Sequence, residues 1–333
     1  MNRLIVWILI GAGVWMGLWA FGSVFYERKL ADWIEARRAE GWVADVANLE
    51  VRGFPNRFDT TLSEVRMADP ATGVAWSAPF VQFLSLAYKP HQVIAVLPEN
   101  HLFSTPLQTM SIGHQQARGS LFLEARPTLP LERAVAVIDD LSVSSSLGWE
   151  IVLRQGRFAA EKVAATENGY RIGAELSGLT PSQRTRELLD PANVLPETVD
   201  VMRIDATLHF SGPWDRTAIE ISRPQVTAID LDDLSARWGE ITFRAAGELA
   251  VDERGVPEGR LTVKAVEWRR LLEMAVGTGL IAEILRPTFE RALELMAGFE
   301  GSPDTLDAPL TFQKGFVSLG PVPLGPAPRI IIR

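Results

Sequence analysis

The sequence predicts a mainly β (α+β) protein, with an N-terminal transmembrane helix before a large curved antiparallel sheet or an open barrel or sandwich. Two patterns lead to this fold class. Residues 4–26 carry no charged side chain, and apolar residues alternate with polar ones over 202–210, 240–252 and 260–266. A third pattern, with helical period, predicts a helical segment near residues 268–297.

The uncharged run from Leu4 to Tyr26 is 23 residues long. At about 1.5 Å per residue it extends over roughly 34 Å, which is enough to cross a bilayer core of about 30 Å. Residues 1–26 are therefore predicted to be a membrane anchor, in which residues 4–26 cross the bilayer. The alternatives are a buried core helix and a cleaved signal peptide with a weak site at Ala20-Phe21-Gly22.

After the anchor, Leu30, Trp33 and Ile34 stand among charged residues, which predicts a juxtamembrane amphipathic helix over residues 27–41. The orientation in the membrane is ambiguous. Arg3 is outnumbered by the basic residues that follow the apolar run, which favours a cytoplasmic domain by the positive-inside rule. However, a short N-terminus leading into a long apolar run is also typical of anchored envelope proteins.

Residues 42–333 are predicted to form a β-rich domain. Alternation in 240–252 and 260–266 gives each strand one wet and one dry face, and the loop with Gly255 and Pro257 between them predicts an antiparallel hairpin. Weaker alternation predicts further strands at 57–67, 80–88, 92–97, 107–112, 119–124, 135–143, 149–154, 157–163, 170–176 and 216–221.

Helical spacing of apolar residues over 268–285 predicts a helix. Pro287 then either kinks this helix or begins a second one. The stretch 320–328 holds too many prolines for a central strand, so we expect it at a sheet edge or along the surface.

This inventory is unbalanced, because about a dozen amphipathic strands have only about thirty helical residues to cover their dry faces. The sheet can close on itself as a barrel or sandwich with its own core. It can also form an open trough that holds something apolar, and the membrane anchor then favours a lipid. The sequence leaves both alternatives open.

The sequence offers few signs of enzymatic chemistry. A net charge of −8 argues against a nucleic-acid partner, and the lack of cysteine excludes disulfides and thiolate chemistry. Asp230, Asp232 and Asp233 are expected in a solvated loop, and no nucleophile, Walker or dinucleotide-binding motif is present. The histidines, which lack the spacing of a metal site, are His91, His101, His114 and His209. We therefore predict that the protein is not an enzyme and has no catalytic, cofactor-binding or metal-binding residue.

One short segment, residues 53–59, is more specific. Its glycine and proline predict a turn that leads into a strand at Arg57. Arg57 and Asp59 lie two residues apart on one face of that strand, where they could pair with each other or contact a lipid headgroup. Arg57 is the predicted headgroup contact. The motif residues are Gly53, Phe54, Pro55, Arg57, Phe58 and Asp59.

The anchor, this motif, the later Ala68-Asp69-Pro70-Ala71-Thr72-Gly73 stretch and the proline-rich 319–328 segment together resemble the alphaproteobacterial domain-of-unknown-function family DUF2125. The resemblance covers most of the chain after the anchor. It implies an inner-membrane envelope protein whose residues 42–333 face the periplasm, and it implies no activity. The layout of an anchor, a G-[FY]-P turn and a strand is also similar to AsmA-like envelope proteins, for which extended sheets and lipid handling are discussed.

Together, these observations predict a single-pass, non-enzymatic protein of the cell envelope that binds or transfers lipid in an apolar trough. A structural or assembly scaffold with a closed core is the first alternative. A hydrolase built from dispersed carboxylates is the second. No cofactor is predicted, and the possible partners are the inner membrane and lipid.

Overall fold

The computed structural model describes residues 2–299 and 303–332. It confirms the predicted fold class, because strands outnumber helices and one large antiparallel sheet follows an N-terminal apolar helix. The chain divides into two compact units. The first extends to Ala125 and includes Ala136–Gly148, and the second comprises Arg126–Val135 and the chain from Trp149 onward.

The first unit begins with one long helix, α1 (Asn2–Ala39). It contains a stretch long and apolar enough to cross a membrane, and it continues without a break into the predicted juxtamembrane helix. Gly41 follows it with a φ of +92°, a left-handed conformation that favours glycine after a helix C-terminus. Ile34, near the end of α1, is buried among Leu62, Val65 and neighbouring apolar side chains.

Eight strands follow α1 in the first unit. They are β1 (Val43–Asp45), β2 (Asn48–Arg52), β3 (Arg57–Asp69), β4 (Val74–Leu86), β5 (Lys89–Val96), β6 (Asn100–Ser104), β7 (Thr109–Gly113) and β8 (Gln116–Leu123). Their pairings are antiparallel: β3 pairs with β1, β2 and β4, β4 also pairs with β5 and β6, β5 pairs with β8, and β6 pairs with β7. The strand β9 (Leu131–Ser145) begins in the second unit and continues into the first, where its end pairs with β7.

The second unit is an antiparallel meander in which each strand pairs with the next. Its strands are β10 (Glu150–Lys162), β11 (Gly169–Thr180), β12 (Val199–Phe210), β13 (Val226–Trp238), β14 (Ile241–Val251), β15 (Pro257–Val266), β16 (Thr305–Gln313), β17 (Phe316–Leu319) and β18 (Val322–Pro326). Its helices are α2 (Gln183–Leu189), α3 (Arg216–Glu220), α4 (Trp268–Gly277) and α5 (Arg286–Phe299), with a 3-10 turn at Glu283–Leu285.

The predicted hairpin is confirmed, since β14 and β15 pair in antiparallel register around a loop that contains Gly255. The predicted helical segment is also confirmed as α4 and α5, and Pro287 lies in the first turn of α5 rather than inside one kinked helix. In this position proline gives up no intrahelical hydrogen bond, because the first N–H groups of a helix have no partner within it.

Three sequence-based predictions are wrong. Residues 216–221 contain the short helix α3, because the side chain of Asp215 accepts hydrogen bonds from the backbone N–H and the hydroxyl of Thr217 and caps it. The predicted strands 149–154 and 157–163 are one strand, β10. The acidic cluster expected in a loop lies within β13, at a shift in register between Leu231 and Leu234.

Seven strands had no counterpart among the predicted strands, namely β1, β2, β6, β13, β16, β17 and β18. Pro309 lies inside β16, where it pairs with Thr262 of β15. The pairing of β16 with β17 begins one residue later, at Leu310. Pro309, which has no backbone N–H, therefore has no ladder partner in β17. The proline-rich C-terminal stretch forms β18, which pairs with β17.

Candidate functional site

One face of the second unit's sheet is apolar across seven strands. Side chains that are register partners on neighbouring strands lie on the same face, so each set of partners forms a row across the sheet. The first row is Phe158, Ala174, Ile204, Leu234, Ala245, Val263 and Ala308; the second is Gly156, Leu176, Met202, Ala236, Phe243, Ala265 and Leu306. A third row also contains only apolar residues: Ala160, Ile172, Ala206, Leu231, Gly247, Leu261 and Leu310.

The opposite face of the same strands is polar. A representative row there is Arg157, Glu175, Arg203, Ser235, Arg244, Lys264 and Asp307. Ion pairs cross between its strands, such as Arg203 to Glu175 at 2.8 Å and Lys264 to Asp307 at 2.8 Å. The sheet therefore has one wet and one dry face, as the alternation predicts.

Helices α4 and α5 cover the part of the dry face that β15 and β16 form. Trp268 and Leu272 of α4 and Phe289 of α5 are buried in one cluster with Ala265 and Leu306 from the strands. Both helices therefore pack on the dry face of the sheet. Such a cluster is the ordinary way in which a one-sided sheet removes its apolar side from water.

Among the described residues, only part of the dry face on β10–β13 is covered in this way: Trp238 at the end of β13 is buried beside Leu271 and Met274 of α4, whereas the first two rows stay partly exposed. Phe158, Met202, Ile204 and Leu234 expose 37%, 39%, 37% and 37% of their surface. We call six residues from the first two rows on β10–β13 the uncovered apolar face. They are Phe158, Leu176, Met202, Ile204, Leu234 and Ala236. The four strands cover about 14 Å across the sheet, and the two rows lie about 7 Å apart along the strands. The uncovered apolar face is therefore a compact patch.

The motif at residues 53–59 forms a tight turn in the first unit. Gly53 has a φ of +102°, and a Cβ at this position would lie 2.7 Å from the Cβ of Arg57, so only glycine fits. The carbonyl of Gly53 accepts hydrogen bonds from the backbone N–H groups of Asn56 and Arg57 at 3.2 and 2.8 Å. The predicted turn before β3 is therefore present.

The motif turn packs against α1. The indole N–H groups of Trp15 and Trp19 donate hydrogen bonds of 2.9 and 2.8 Å to the carbonyls of Pro55 and Arg57. The ring of Trp19 also stacks on Phe58 at 6.2 Å between centroids. Two of the aromatic residues in the apolar run thus recognise the turn, a role that their sequence position did not indicate.

Arg57, the predicted headgroup contact, donates to Asp59 at 3.0 Å and is half exposed. It lies at a cleft of about 310 Å³ in the first unit, lined mainly by apolar side chains. The chief lining residues besides Arg57 are Leu84, Leu86, Ile94 and Phe122. The pairing that the sequence allowed between Arg57 and Asp59 is formed. An anion reaching this cleft would meet a guanidinium that a carboxylate already neutralises in part.

Two of the four histidines lie together. The rings of His101 and His114 are 5.6 Å apart, and the indole N–H of Trp76 donates to Nδ1 of His101 at 3.1 Å. Burial, and next the charge of His114, lower the pKa of His101. Burial also lowers the pKa of His114, although the nearby Glu99 acts in the opposite direction.

The other two histidines lie elsewhere in the chain. His91 belongs to β5. His209 belongs to β12 and lies 2.9 Å from Asp230, so it is paired rather than simply solvated. Within residues 2–299 and 303–332, no three histidine or carboxylate side chains are grouped so that they could hold a metal ion.

Among the described residues, Asp190 is the only buried acidic residue. One of its oxygens accepts a hydrogen bond from the backbone N–H of Leu195 at 2.7 Å, and its own N–H donates to the carbonyl of Arg186 at the end of α2. These contacts account for its burial as a structural group.

These features define a class of protein: a large antiparallel β structure with a half-covered apolar face, following a helix that is long and apolar enough to span a membrane. The chain belongs to the family described as "Uncharacterized protein conserved in bacteria" (DUF2125), whose model matches residues 19–328. Neither the curated proteins nor the solved structures contain a match to the chain. The predicted similarity to AsmA-like proteins is not shown by these comparisons and stays a prediction.

Proposed function

We propose that this protein is a single-pass, non-enzymatic protein of the inner membrane whose β structure lies in the periplasm and binds the acyl chains of envelope lipids. The observation that carries the proposal is the uncovered apolar face on β10–β13. Four large apolar side chains are exposed there, in rows that continue into the buried core under α4 and α5.

The exposed rows favour an apolar ligand for an energetic reason. Removing one methylene group from water contributes about 0.8 kcal/mol, so an acyl chain lying on these side chains gains stabilisation with each group that it buries. A lipid acyl chain comes from a bilayer that is equally apolar, so its net preference for the protein over the bilayer is small. A small net preference suits reversible binding and transfer.

A scaffold that covers the same face with another protein is the alternative. Protein interfaces typically carry about one hydrogen bond per 100–200 Å² of buried surface. The two rows of the uncovered apolar face contain no polar side chain between β10 and β16. An acyl chain needs no polar partner, so this composition favours lipid over protein.

The proposed location rests on the anchor and on the resemblance to envelope proteins. Retention of the anchor is supported by the packing of α1, because cleavage after Gly22 would remove both tryptophans that donate to the motif turn. The orientation can be measured by fusing alkaline phosphatase to the C-terminus. An active phosphatase is expected, and an inactive one together with an active cytoplasmic reporter would contradict the periplasmic location.

The ligand can be identified by photo-crosslinking in cells. The photoreactive residue p-benzoylphenylalanine replaces Ile204 on the uncovered apolar face, and in a matched control it replaces Ala159, which is exposed on the other face of β10. After irradiation, mass spectrometry of the full-length protein should find a phospholipid adduct at position 204 and not at 159. A protein-sized adduct at 204 would instead support the scaffold.

A further inference from the structure

One face of α1 packs against the first unit well before the apolar run ends. Residues that are shielded from solvent recur at helical spacing along α1: Trp15, Trp19, Gly22, Ser23, Tyr26, Leu30 and Ile34. The first five of these lie inside the predicted membrane span of residues 4–26. Contact with the domain and contact with the bilayer therefore overlap along about half of the span.

The length of α1 shows how this overlap must be resolved in a membrane. If the bilayer covered only the part of α1 before Trp15, residues 2–14 would provide about 20 Å, which is too short for a core of about 30 Å. A helix that enters the core near Leu4 needs about 20 residues to cross it. Trp15 and Trp19 then lie below the surface of the leaflet nearest the domain, and the turn bound to them lies at the same depth.

The motif turn goes far toward meeting the main condition for backbone in an apolar medium, because four of its carbonyl groups accept hydrogen bonds from the protein. The carbonyls of Pro55 and Arg57 accept from the two indoles of α1, and that of Asn56 accepts from the N–H of Ala87 at 2.8 Å. The carbonyl of Gly53 accepts within the turn. Non-helical backbone is tolerated at membrane depth where protein covers it, and here the indoles of Trp15 and Trp19 lie against these carbonyls.

The surface of the turn exposes side chains suited to lipid beside the polar residues Asn56 and Lys89. Phe54 at its tip is 55% exposed, and Tyr88 in the neighbouring β4–β5 turn is exposed as well. Leu86 is exposed opposite Arg57 in the register of β3 and β4. The charge of Arg57 is compensated by Asp59, which lowers the cost of placing it near hydrocarbon.

Gly22 of α1 allows the close approach. A Cβ at this position would lie 2.8 Å from Cζ of Phe58, so the phenyl ring occupies the space that a side chain would need. Phe58 is buried and its ring stacks on Tyr26 as well as on Trp19. The motif residue Phe58 is thus explained by the helix that its ring contacts.

We propose that the motif turn, residues 53–59, together with the β4–β5 turn at residues 87–88, forms a membrane-immersed element that contacts lipid acyl chains beside α1. Its partner is the bilayer itself, in the leaflet nearest the domain. The element belongs to the first unit and does not depend on lipid binding at the uncovered apolar face of the second.

The absence of cysteine from the chain makes a direct measurement of depth simple. Single cysteines replace Phe54 or Tyr88, and in the control Ala71, which is exposed in the turn between β3 and β4. That turn lies at the other end of the β3–β4 hairpin, about 40 Å along the strands from Arg57. Each full-length variant is spin-labelled and reconstituted in vesicles of phosphatidylethanolamine and phosphatidylglycerol.

Electron paramagnetic resonance then compares collision of the label with oxygen, which concentrates in lipid, and with a nickel chelate, which stays in water. At positions 54 and 88, collision with oxygen should exceed collision with nickel severalfold, and at 71 the order should be reversed. Nickel access at 54 equal to that at 71 would overturn the proposal. A label at 54 that neither reagent reaches would also overturn it, since protein rather than lipid would then cover the turn.

Discussion

The indole N–H of Trp19 donates a 2.8 Å hydrogen bond to the backbone carbonyl of Arg57, 38 residues further along the chain. This contact joins the apolar helix α1 to the first residue of β3. It gives the motif turn a structural role, because Gly53 shapes the turn that presents this carbonyl and Phe58 stacks on the same indole. The helix is therefore a packed part of the first unit and not only a tether.

Substitution of Gly22 tests this packing. Gly22→Val should destabilise the first unit by about 1–3 kcal/mol, because the added side chain overlaps with the buried ring of Phe58. Gly17→Val is the matched control, since nothing lies within 4 Å of a Cβ at Gly17. Thermal unfolding of both full-length variants in nanodiscs measures the difference. Equal midpoints for the two variants would show that α1 does not pack on the turn in a membrane.

The dry face predicts a strong contrast between adjacent residues of β14. Phe243 packs against the buried cluster of Ala245, Leu261 and Val263, so Phe243→Asp should place an unpaired charge there and unfold the second unit. Arg244 is exposed on the wet face, and Arg244→Asp should change the free energy of unfolding by less than about 1 kcal/mol. Denaturant titration followed by circular dichroism compares them. Similar tolerance at both positions would contradict the assignment of the two faces.

The histidine pair predicts a pH dependence of stability. The pKa values of His101 and His114 lie below the ordinary value of 6.5 in the folded protein, chiefly because of burial. Below that pH the unfolded chain binds protons that the folded chain does not bind, so the free energy of unfolding should fall as the pH falls from about 6.5 toward the lowered pKa values. Above about 6.5 this contribution is fully present.

Chemical denaturation between pH 8 and pH 5 measures this dependence. His114→Leu should flatten the slope below pH 6.5, because it removes one titrating group and also the charge that lowers the pKa of His101. It also removes two buried ring nitrogens that have no hydrogen-bond partner. An unchanged slope in this variant would exclude the histidine pair as the cause.

The sequence was a good guide wherever a local pattern was complete. The hairpin of β14 and β15 followed from strict alternation and a loop with Gly255, and α4 and α5 followed from apolar residues at helical spacing. The strand β13 was missed because the irregularity between Leu231 and Leu234 places Asp232 and Asp233 in succession and breaks the alternation. A two-residue period cannot be recognised across such a shift in register.

Long-range contacts were beyond the reach of local patterns. Tryptophans such as Trp15 and Trp19 are common in membrane helices, so their presence in the sequence indicates nothing specific. Only the fold brings their indoles to carbonyls about 40 residues away. The sequence did identify the motif and its turn, and it named Arg57 and Asp59 as possible partners. It gave no sign that α1 would be what the turn contacts, since hydrogen bonding to a backbone carbonyl leaves no signature in the accepting residue type.

The uncovered apolar face leads to a last prediction, which separates binding from stability. Ile204 and Leu231 occupy adjacent rows of the same face, but Ile204 is exposed whereas Leu231 is buried under its neighbours. Ile204→Glu should therefore fold with a nearly unchanged thermal midpoint, because its carboxylate can stay in water. Leu231→Glu should be destabilised by several kcal/mol, because its charge has no partner in the core.

The same Ile204→Glu variant should lose its ligand. Leu234 is the register partner of Ile204, so a photoreactive residue at position 234 reports on the same patch. In the otherwise unchanged protein it should form a phospholipid adduct. When Ile204→Glu is added, the yield should drop at least several-fold. An acyl chain on this patch would have to remove water from the carboxylate, which is costly, or bind elsewhere. Ala159→Glu adds the same charge on the opposite face and should leave the yield unchanged. Equal yields in all three proteins would mean that the adduct at 234 forms from bulk lipid and that the face does not bind acyl chains.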